Sequence, residues 1–480
     1  MKREAGILMP IASLPNKHGI GDFGPQTYRF IDNLKDANIT YWQILPLNRL
    51  SYGNSPYQPL SSHAIDEIYI SLDLLEKDGL IKAPRPFKEK ERRVDYDAVR
   101  KFKEVYYIKA FHNFVKRGDL KKLNKFMKDE PFVKDYARFI ALKKINDLRP
   151  WQEWTRFKSD DEIKEAIQYE IFLQYIVFKQ WKKVLRRVRN RNLKLIGDIP
   201  FYVGFDSDDV YYHRDQFLLD DKNNPKLVAG VPPDYFSKLG QMWGNPIYNF
   251  MKMRETGYSF YIERMKAAFK MCDVLRIDHF RAFDSYYVIP FGRPDAVVGE
   301  WWDGPAYDFF EFLKKEVDLS KIIAEDLGDL RPSVLVLRDH YNLPGMNVTQ
   351  FTIEDKTYVD KENMVAYTGT HDNQTIKSWF LDLDNNHQEN VKNILRQNFG
   401  ESILALPMSE AMIHFTLKSN ARIAIIQMQD LLDYDDFYRT NVPSTVNNIN
   451  WAFRVIDLKD IKRSLTNYSL LVEAYGRKRQ

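Results

Sequence analysis

Short apolar runs recur along the chain, each bounded by polar residues or glycine. They are AGILMPIASL (5–14), TYWQILPL (40–47), LKLIGDIPFYV (193–203), DVLRIDHF (273–280), KIIAEDLG (321–328), MNVTQF (346–351), MVAYTGT (364–370) and ARIAIIQMQDLL (421–432). Continuous rather than alternating apolar runs are typical of strands buried on both faces, as in a parallel sheet. Helical patterns such as PQTYRFIDNLKDAN (25–38) lie between most of them. Eight strands alternating with helices predict an α/β fold, one (β/α)8 TIM barrel over residues 1–480.

Two long intervals interrupt this alternation. Residues 50–190, between the second and third strands, are lysine-rich and have helical periods, so they predict a mainly helical insertion subdomain. In it, Ser159 and Glu162 form a capping-box pattern. The basic run 182–191 is interpreted as the solvated end of a helix rather than a patch for an anionic partner. Residues 204–257, between the third and fourth strands, predict a second insertion with an aromatic-rich loop, which is the substrate-covering loop if its rings stack on sugars.

The middle of the second insertion reads GVPPDYFSKLGQMWGNPIY (230–248). Its glycines and prolines predict a shaped loop. Tyr235, Phe236 and Trp243 are large rings with little helical or strand period to bury them. The loop either packs down on its own aromatics or forms a lid whose rings stack on sugars, and the pattern alone favours neither.

Three of the predicted strands end in carboxylates: RIDHF with Asp278, IAEDLG with Glu325 and GTHDN with Asp372. Because functional residues of this barrel lie at the C-terminal ends of its strands, we expect the three side chains to converge. Retaining glycosyl transfer uses two carboxyls about 5 Å apart, one as nucleophile and one as acid and then base. Arg276, two positions before Asp278, is expected on the same side of the strand, where it would hold that aspartate ionised.

Histidines at two of these strand ends, His279 and His371, allow a second interpretation. With the aspartates they could be metal ligands, as in barrel metallohydrolases. Against this, the first strand has no HxH pair and no third histidine ends a strand motif. We therefore expect a site without metal.

Composition and charge narrow the compartment and the partners. The chain has 71 basic and 66 acidic residues, a net charge of +5, which does not argue for nucleic acid. A single cysteine, Cys272, excludes an intrachain disulfide framework and fits a reducing compartment. No segment is apolar enough to span a bilayer, and the short N-terminal run predicts a strand and a loop rather than a signal region. We expect a soluble, cytoplasmic protein that binds neither nucleic acid nor membrane; oligomeric state is not indicated.

The strand-end motifs RIDHFRAF, IAEDLG and YTGTHDN resemble those of strands four, five and seven in the α-amylase clan. Within that clan the whole chain resembles glycoside hydrolase family 77, the 4-alpha-glucanotransferases, also called amylomaltases or disproportionating enzymes. Further matching stretches, from near residue 10 to near residue 454, are LPNKHGIGDFGP, YWQILPLNRLSYGNSPYQPLS, GDIPFYV, AGVPPDYFSKLGQMWGNPIY, LPGMNVTQF and MQDLL.

The resemblance implies retaining transfer of α-1,4-glucan segments between maltooligosaccharides through a covalent glycosyl-enzyme, without metal or organic cofactor. It makes Asp278 the nucleophile, Glu325 the acid/base and Asp372 the transition-state stabiliser. The substrate-binding residues that it implies are Arg276, His371, Asp198, Ser55, Tyr57, Asp234, Tyr235, Phe236, Gln241 and Trp243. The alternatives are an α-1,4-glucan hydrolase, which product analysis would distinguish, and a non-catalytic glucan-binding protein, which a turnover assay would distinguish.

Four positions or stretches depart from the family pattern. Gln374 stands where the strand-seven motif commonly has aspartate, and Ala282 stands for a glycine. HAIDEIYISL (63–72) and RTNVPSTVNNINWAF (439–453) follow their counterparts only loosely. None of them removes a catalytic carboxylate, so they bear on substrate preference and local packing.

Overall fold

Eight parallel strands curl into a nearly closed barrel in a computed structural model that describes residues 2–88, 92–233 and 237–479. In these ranges the strands are β1 (Glu4–Leu8), β2 (Tyr41–Gln43), β3 (Lys194–Ile199), β4 (Leu227–Val231), β5 (Gln241–Pro246), β6 (Val274–Ile277), β7 (Ser285–Pro290), β8 (Glu300–Asp303), β9 (Ile322–Ala324), β10 (Gly345–Val348), β11 (Met364–Tyr367) and β12 (Ile423–Gln427).

The α-helices mostly follow the barrel strands or fill the insertions. They are α1 (Pro25–Asp36), α2 (Leu72–Lys77), α3 (Tyr96–Lys116), α4 (Lys121–Asp129), α5 (Val133–Ile145), α6 (Lys164–Asn190), α7 (Asp208–Tyr212), α8 (Phe250–Glu255), α9 (Ser259–Met271), α10 (Ala306–Leu313), α11 (Pro332–His340), α12 (Thr349–Thr352), α13 (Ile376–Asp382), α14 (Asn385–Phe399), α15 (Met408–Lys418), α16 (Met428–Leu431) and α17 (Leu458–Ala474). None of the described helices is both long and apolar enough to cross a membrane.

The barrel strands follow one another in the order β10-β11-β12-β1-β2-β3-β6-β9, and every pair is parallel. Each of the eight predicted apolar runs contains one of these strands, so the predicted barrel is confirmed. Strand residues such as Ile196, Ile323, Val365 and Ile425 form an apolar cluster separate from the larger one that includes residues of the surrounding helices. We call this the interior cluster, because alternate strand residues point into the barrel.

The barrel closes between β9 and β10 through one backbone hydrogen bond and a side-chain network rather than through a strand ladder. In the part of the chain that the structure describes, the two strands are not paired as neighbours. Ala324 N–H donates to the carbonyl of Pro344 at 2.9 Å. The Asp326 carboxylate then accepts from Met346 N–H at 2.7 Å and pairs with Arg338. We call this junction the seam.

A second sheet, which the sequence did not predict, stands at the mouth of the barrel. Its antiparallel strands have the order β5-β4-β7-β8. The predicted loop at 230–246 is therefore partly wrong, since Leu227–Val231 and Gln241–Pro246 are paired strands. The ladder is bulged beside Gly230, where a Cβ would lie 2.2 Å from the carbonyl oxygen of Gln241, so the position requires glycine. Because glycine in a sequence usually indicates a loop, the strand was not predicted.

Helices α2–α6 fill the long interval between β2 and β3. Asp66, fully buried, pairs with Arg100 of α3 and ties this helical region to the chain leaving β2. The predicted contact between Ser159 and Glu162 is present, with Ser159 N–H donating to the carboxylate at 2.8 Å, but α6 itself begins five residues later.

The basic run 182–191 at the end of α6 is anchored to the barrel. Arg187 and Arg191 both pair with Asp32 of α1, and Arg189 pairs with Asp273 at 2.9 Å. Lys182 also pairs with Glu130 at 3.6 Å. The interpretation of this run as a solvated helix end is therefore incomplete, because four of its six basic residues contact neighbouring carboxylates.

Candidate active site

Four strand ends bring carboxylates together at the C-terminal end of the barrel. Asp198 lies in β3, Asp278 follows β6, Glu325 follows β9 and Asp372 lies beyond β11. The charges of Asp198, Glu325 and Asp372 all act on the Asp278 carboxyl, so the three predicted catalytic carboxylates share one site.

Arg276 joins two of these carboxylates. It pairs with Asp198 across β3 and β6, and its Nη1 donates to the two carboxylate oxygens at 2.8 and 2.7 Å. Its Nη2 lies 2.9 Å from Asp278 Oδ1, so the ion pair predicted from their spacing is present. Burial opposes the charge of Arg276, but Asp198 and Asp278 raise its pKa well above the usual value. The guanidinium is thus a fixed positive charge beneath the site.

Tyr57 closes this network from the loop after β2. Its hydroxyl donates to Asp198 Oδ2 at 2.7 Å, and its ring stacks on His371 with the centroids 4.9 Å apart. Burial, followed by the charge of Asp198, raises the Tyr57 pKa well above the usual value, so the hydroxyl stays a neutral donor. Ser55 Oγ accepts from Tyr57 N–H at 3.3 Å and holds the loop.

Asp278 is the carboxylate that combines a cationic partner with access. Its side chain is 28% exposed, against 0% for Asp198. Burial raises the pKa of Asp278 to about 8, the neighbouring carboxylates add to the rise, and Arg276 opposes it. The ionised form of Asp278 therefore needs the positive charge of Arg276. It also depends on whether the proton of the site resides on Asp278 or on a neighbouring carboxyl.

Glu325 is held by backbone on both oxygens. Leu327 N–H donates to Oε1 at 2.9 Å and His279 N–H donates to Oε2 at 2.7 Å. Burial raises the pKa of Glu325, while Arg276 and the two N–H groups oppose the rise. Because the pKa values of both Asp278 and Glu325 are raised, the pair retains a proton at a pH where isolated carboxyls are ionised.

Asp372 is fixed by a residue that the sequence did not single out. Asn441 Nδ2 donates to Asp372 Oδ1 at 2.6 Å, and Asn441 N–H donates to the His371 carbonyl at 3.1 Å. Arg439 Nη2 donates to the Asp372 carbonyl at 2.5 Å. The Asp372 side chain is 45% exposed, which leaves Oδ2 open to a substrate hydroxyl.

His371 is buried between two rings and the carboxylate. Its Nδ1 lies 3.3 Å from the Tyr57 hydroxyl and its Nε2 lies 3.5 Å from Asp372 Oδ1. Trp451 packs against it with the centroids 5.6 Å apart. Burial lowers the pKa of His371, so the neutral ring orients the strand-seven carboxylate rather than adding positive charge.

The strand β5 brings Trp243 beside the loop that follows Asp278. The Trp243 ring meets His279 edge to face with the centroids 4.9 Å apart, and its Nε1 donates to Gln241 Oε1 at 3.2 Å. Gln58 Nε2 donates to the Trp243 carbonyl at 2.9 Å. The predicted binding residues Asp234, Tyr235 and Phe236 lie outside the described residues.

Two functional contributions escaped the sequence for identifiable reasons. His279 has a left-handed backbone conformation with φ of 52°, which directs its N–H to Glu325. From the sequence, this histidine suggested only a side chain that could bind a metal. Asn441 and Trp451 lie in the stretch 439–453, where the family pattern is loose. Several asparagines in this stretch could have marked it as functional, but asparagines are also common in ordinary turns.

Gln374 departs from the family pattern and has an observable role. Its Nε2 donates to Asp382 at 2.7 Å and to Asp436 at 3.2 Å, and Asp436 also accepts from Thr375 N–H. An aspartate at this position would face two carboxylates, whereas the amide joins α13 to the segment that leads to Asn441. In the described ranges, no three His, Cys, Asp or Glu side chains are grouped as metal ligands.

Comparison with known proteins identifies the relatives of this site. The family model described as 4-alpha-glucanotransferase, glycoside hydrolase family 77, matches residues 9–459. A 4-alpha-glucanotransferase of Streptococcus pneumoniae is 36% identical over 95% of this chain and 94% of its own length. One from Aquifex aeolicus is also 36% identical, over 99% of both chains. The solved amylomaltase of Streptococcus agalactiae in complex with acarbose is 33% identical with a TM-score of 0.93, covering 99% of this chain and all of its own.

Proposed function

The chain belongs to the 4-alpha-glucanotransferases of glycoside hydrolase family 77, and we propose that Asp278, Glu325 and Asp372 carry out its glucan transfer. The enzyme has 4-alpha-glucanotransferase activity, and its substrates are proposed to be α-1,4-glucans such as maltooligosaccharides. The observation that carries the assignment of roles is the meeting of three carboxylates beside one buried arginine.

Asp278 is the nucleophile of this proposal. Its carboxylate attacks the anomeric carbon of the donor, and the bond from that carbon to the glycosidic oxygen breaks. The support is the contact with Arg276 at 2.9 Å together with its partial exposure. Arg276 stabilises the ionised form of Asp278 against the repulsion of the neighbouring carboxylates, so that the proton shared by the pair can reside on Glu325 when the donor is bound.

Glu325 gives that proton to the leaving oxygen. In the second step it takes a proton from the 4-hydroxyl of the acceptor, whose oxygen then attacks the anomeric carbon and releases Asp278. Both oxygens of Glu325 are engaged with backbone N–H groups at 2.7 and 2.9 Å. The protonated oxygen can keep its bond from the backbone N–H while its hydroxyl donates to the leaving oxygen, because a carboxyl hydroxyl both accepts and donates.

Asp372 stabilises the transition state in which positive charge develops on the sugar ring. Asn441 occupies one carboxylate oxygen, and the other is available to sugar hydroxyls. Those hydrogen bonds strengthen as the ring becomes oxocarbenium-like. A carboxylate that is already fixed loses little orientational freedom at that moment.

The remaining family positions fall into two groups. Arg276 and Asp198 are buried, Tyr57 is partly buried, and Asp198 bonds to both of the other two, which supports a role in fixing the base of the donor site. Ser55, Gln241 and Trp243 are partly exposed, which supports contact with the glucan. His371 lies between the two groups and is proposed to meet the donor sugar.

Incubation with maltotriose tests this function. A glucanotransferase produces glucose together with oligomers longer than maltotriose, because each excised segment is passed to another sugar. Products limited to glucose and maltose would show water as the acceptor and would contradict transfer as the main reaction.

A further inference from the structure

A cavity lies at the end of the barrel opposite to the catalytic carboxylates. It has a volume of about 1210 Å³ and is lined by residues at the starts of β1, β2, β3, β6 and β12, and by the end of α9. Ligand pockets commonly span roughly 300–1,000 Å³, so this cavity has room for more than a single inorganic ion. We call it the floor cavity.

The lining of the floor cavity is cationic. Its basic residues are Lys2, Arg189, Lys194, Lys266, Lys270, Lys321 and Arg422, and its acidic residues are Glu4, Asp273, Glu316 and Asp318. Seven minus four leaves a charge of +3. Each of the four carboxylates has a basic partner among the lining residues, so three cations remain. One of them, Lys270, is neutralised by Glu130 at 3.0 Å.

The other two, Lys194 and Arg422, have no carboxylate within ion-pair distance in residues 2–88, 92–233 and 237–479. The Lys194 ammonium lies 3.5 Å from the Tyr41 hydroxyl and 5.4 Å from the centre of its ring. Arg422 is half-buried, and burial lowers its pKa although the charge of Glu4 partly opposes this. A half-buried guanidinium without a carboxylate at ion-pair distance lacks the contact that ordinarily offsets its desolvation.

Apolar surface lies beside these two cations. Tyr41, Phe269, Val274 and Ile423 line the same cavity. The Tyr41 hydroxyl is directed to Glu4 Oε2 at 3.2 Å and the residue is only 6% exposed, so the accessible apolar surface is that of the half-buried Phe269 and Val274. A ligand matching this surface combines a compact multivalent anion with an organic ring.

We propose that the floor cavity binds a small phosphate ester, with its phosphate between Arg422 and Lys194 and its organic part against Phe269 and Val274. Arginine suits this role because its planar fork donates two hydrogen bonds to one phosphate, while lysine adds a point charge. Sugar phosphates and nucleotides share this chemistry. The interior cluster separates the floor cavity from the catalytic end, so the phosphate ester and a glucan occupy different sites.

Calorimetric titration of the full chain tests the proposal with inorganic phosphate, a hexose phosphate and adenosine monophosphate. We expect one of the two esters to bind more tightly than inorganic phosphate, to bind in the presence of maltotriose, and to weaken as salt is raised. Preference for the hexose phosphate identifies a sugar-phosphate site, and preference for the adenosine ester identifies a nucleotide site. Failure of both esters to bind more tightly than inorganic phosphate overturns the proposal.

Variants separate the two cations from the general charge of the surface. Arg422→Gln and Lys194→Gln should each weaken ester binding by about tenfold or more, because each removes a charged hydrogen bond. Lys270→Gln is the matched control: it lines the same cavity, but Glu130 already neutralises it, so binding should change by less than about twofold. Lys194 is solvent-exposed, so its variant is expected to fold even if Arg422→Gln does not. Equal weakening by Lys270→Gln and Lys194→Gln, or unchanged binding in Lys194→Gln, overturns the proposal.

Discussion

The two ends of the barrel carry opposite charge, and the same strands supply both. β3 begins at Lys194 and reaches Asp198 four residues later, and Lys321 and Glu325 flank β9 in the same way. At the catalytic end four carboxylates surround one arginine, whereas at the floor cavity seven cations meet four carboxylates. All the barrel strands run in the same direction, so residues at their starts lie at one end of the barrel and residues at their C-terminal ends lie at the other. The cations and the catalytic carboxylates are thereby kept apart.

The ends also differ in how their charges are held. Arg276 is buried and bound by two carboxylates, so the catalytic end has one fixed arrangement. Arg422 is half-buried without such a partner. A network of mutually paired charges suits preorganised catalysis, whereas a cation without an ion-pair partner at a cavity suits the binding of an anion from solution. Substitutions at the catalytic end are therefore expected to change activity far more than matched substitutions at the other end of the barrel.

The largest effect is expected for Asp278→Ala. Loss of the nucleophile removes the covalent route, so turnover of maltotriose should fall by at least about 10³-fold while the circular dichroism spectrum is retained. Lys194→Gln, at the start of β3, is the control and should change turnover by less than about twofold. Near-normal turnover in Asp278→Ala would rule out its role as nucleophile.

Glu325→Gln should come next. General acid catalysis contributes about 10²- to 10⁴-fold, so activity on maltotriose should fall in that range. A glycosyl fluoride has a leaving group that needs no protonation, and the variant should keep much of its first-step rate on that substrate, measured as fluoride release. Equal losses on both substrates would count against Glu325 as the acid.

Asn441→Ala tests whether the carboxylate of Asp372 is held by its neighbour. Losing one charged hydrogen bond, ~1.5–3 kcal/mol, should lower kcat/KM by about ten- to a hundredfold. Asn363→Ala is the matched control, because Asn363 precedes β11 at its other end and its side-chain amide donates to Asn342 rather than to a carboxylate of the site. If both variants lose activity equally, the effect comes from stability and not from Asp372.

Trp243→Ala is expected to change the fate of the intermediate. Water is present at about 55 M, so an acceptor sugar succeeds only through a large effective concentration at the site. Loss of a stacking ring, ~1–2 kcal/mol, should favour hydrolysis by about five- to thirtyfold relative to transfer. Free reducing ends should then exceed those matched by longer oligomers. A proportional decrease in both reactions would mean that Trp243 only binds substrate.

The smallest effect is a pH-dependent gain in stability from Asp278→Asn. A carboxyl pKa near 3.9 in the unfolded chain is raised to about 8 in the fold, so the wild type loses stability as pH rises through this window. The variant lacks that titration and should melt higher by roughly 2 °C or more near pH 8, with the difference vanishing near pH 4.

The control for that measurement is Asp273→Asn, which removes a carboxylate paired with Arg189 at the other end of the barrel. It loses a favourable contact and should not melt higher than the wild type. A melting temperature of Asp278→Asn at or below that of the wild type near pH 8 would show that ionised Asp278 is not strained by its surroundings.

The barrel could be predicted because its signals are local. Each strand is a short apolar run, and the residues that end RIDHF, IAEDLG and GTHDN reach the site simply because parallel strands end together. The Arg276–Asp278 contact could be predicted for the same reason, since two residues at i and i+2 of one strand point to one side.

What escaped prediction depends on partners far apart in the chain. The sheet β5-β4-β7-β8 pairs segments on either side of β6, and its glycine-rich bulge reads as a loop. Asn441 reaches Asp372 across 69 positions, and no local pattern marks it. The floor cavity was hidden because Lys194 and Arg422 look like ordinary surface cations until the barrel brings the starts of β3 and β12 to the same cavity.

The seam between β9 and β10 has a consequence for how the proposed proton donor is held. Glu325 and Asp326 are consecutive, yet they bond to opposite neighbours. Glu325 N–H donates to the Ile277 carbonyl of β6 at 3.0 Å, whereas Asp326 accepts from Met346 N–H of β10 at 2.7 Å and pairs with Arg338. The backbone that positions the proton donor is therefore also the backbone that closes the ring, and a change at the seam acts on Glu325 through one peptide bond.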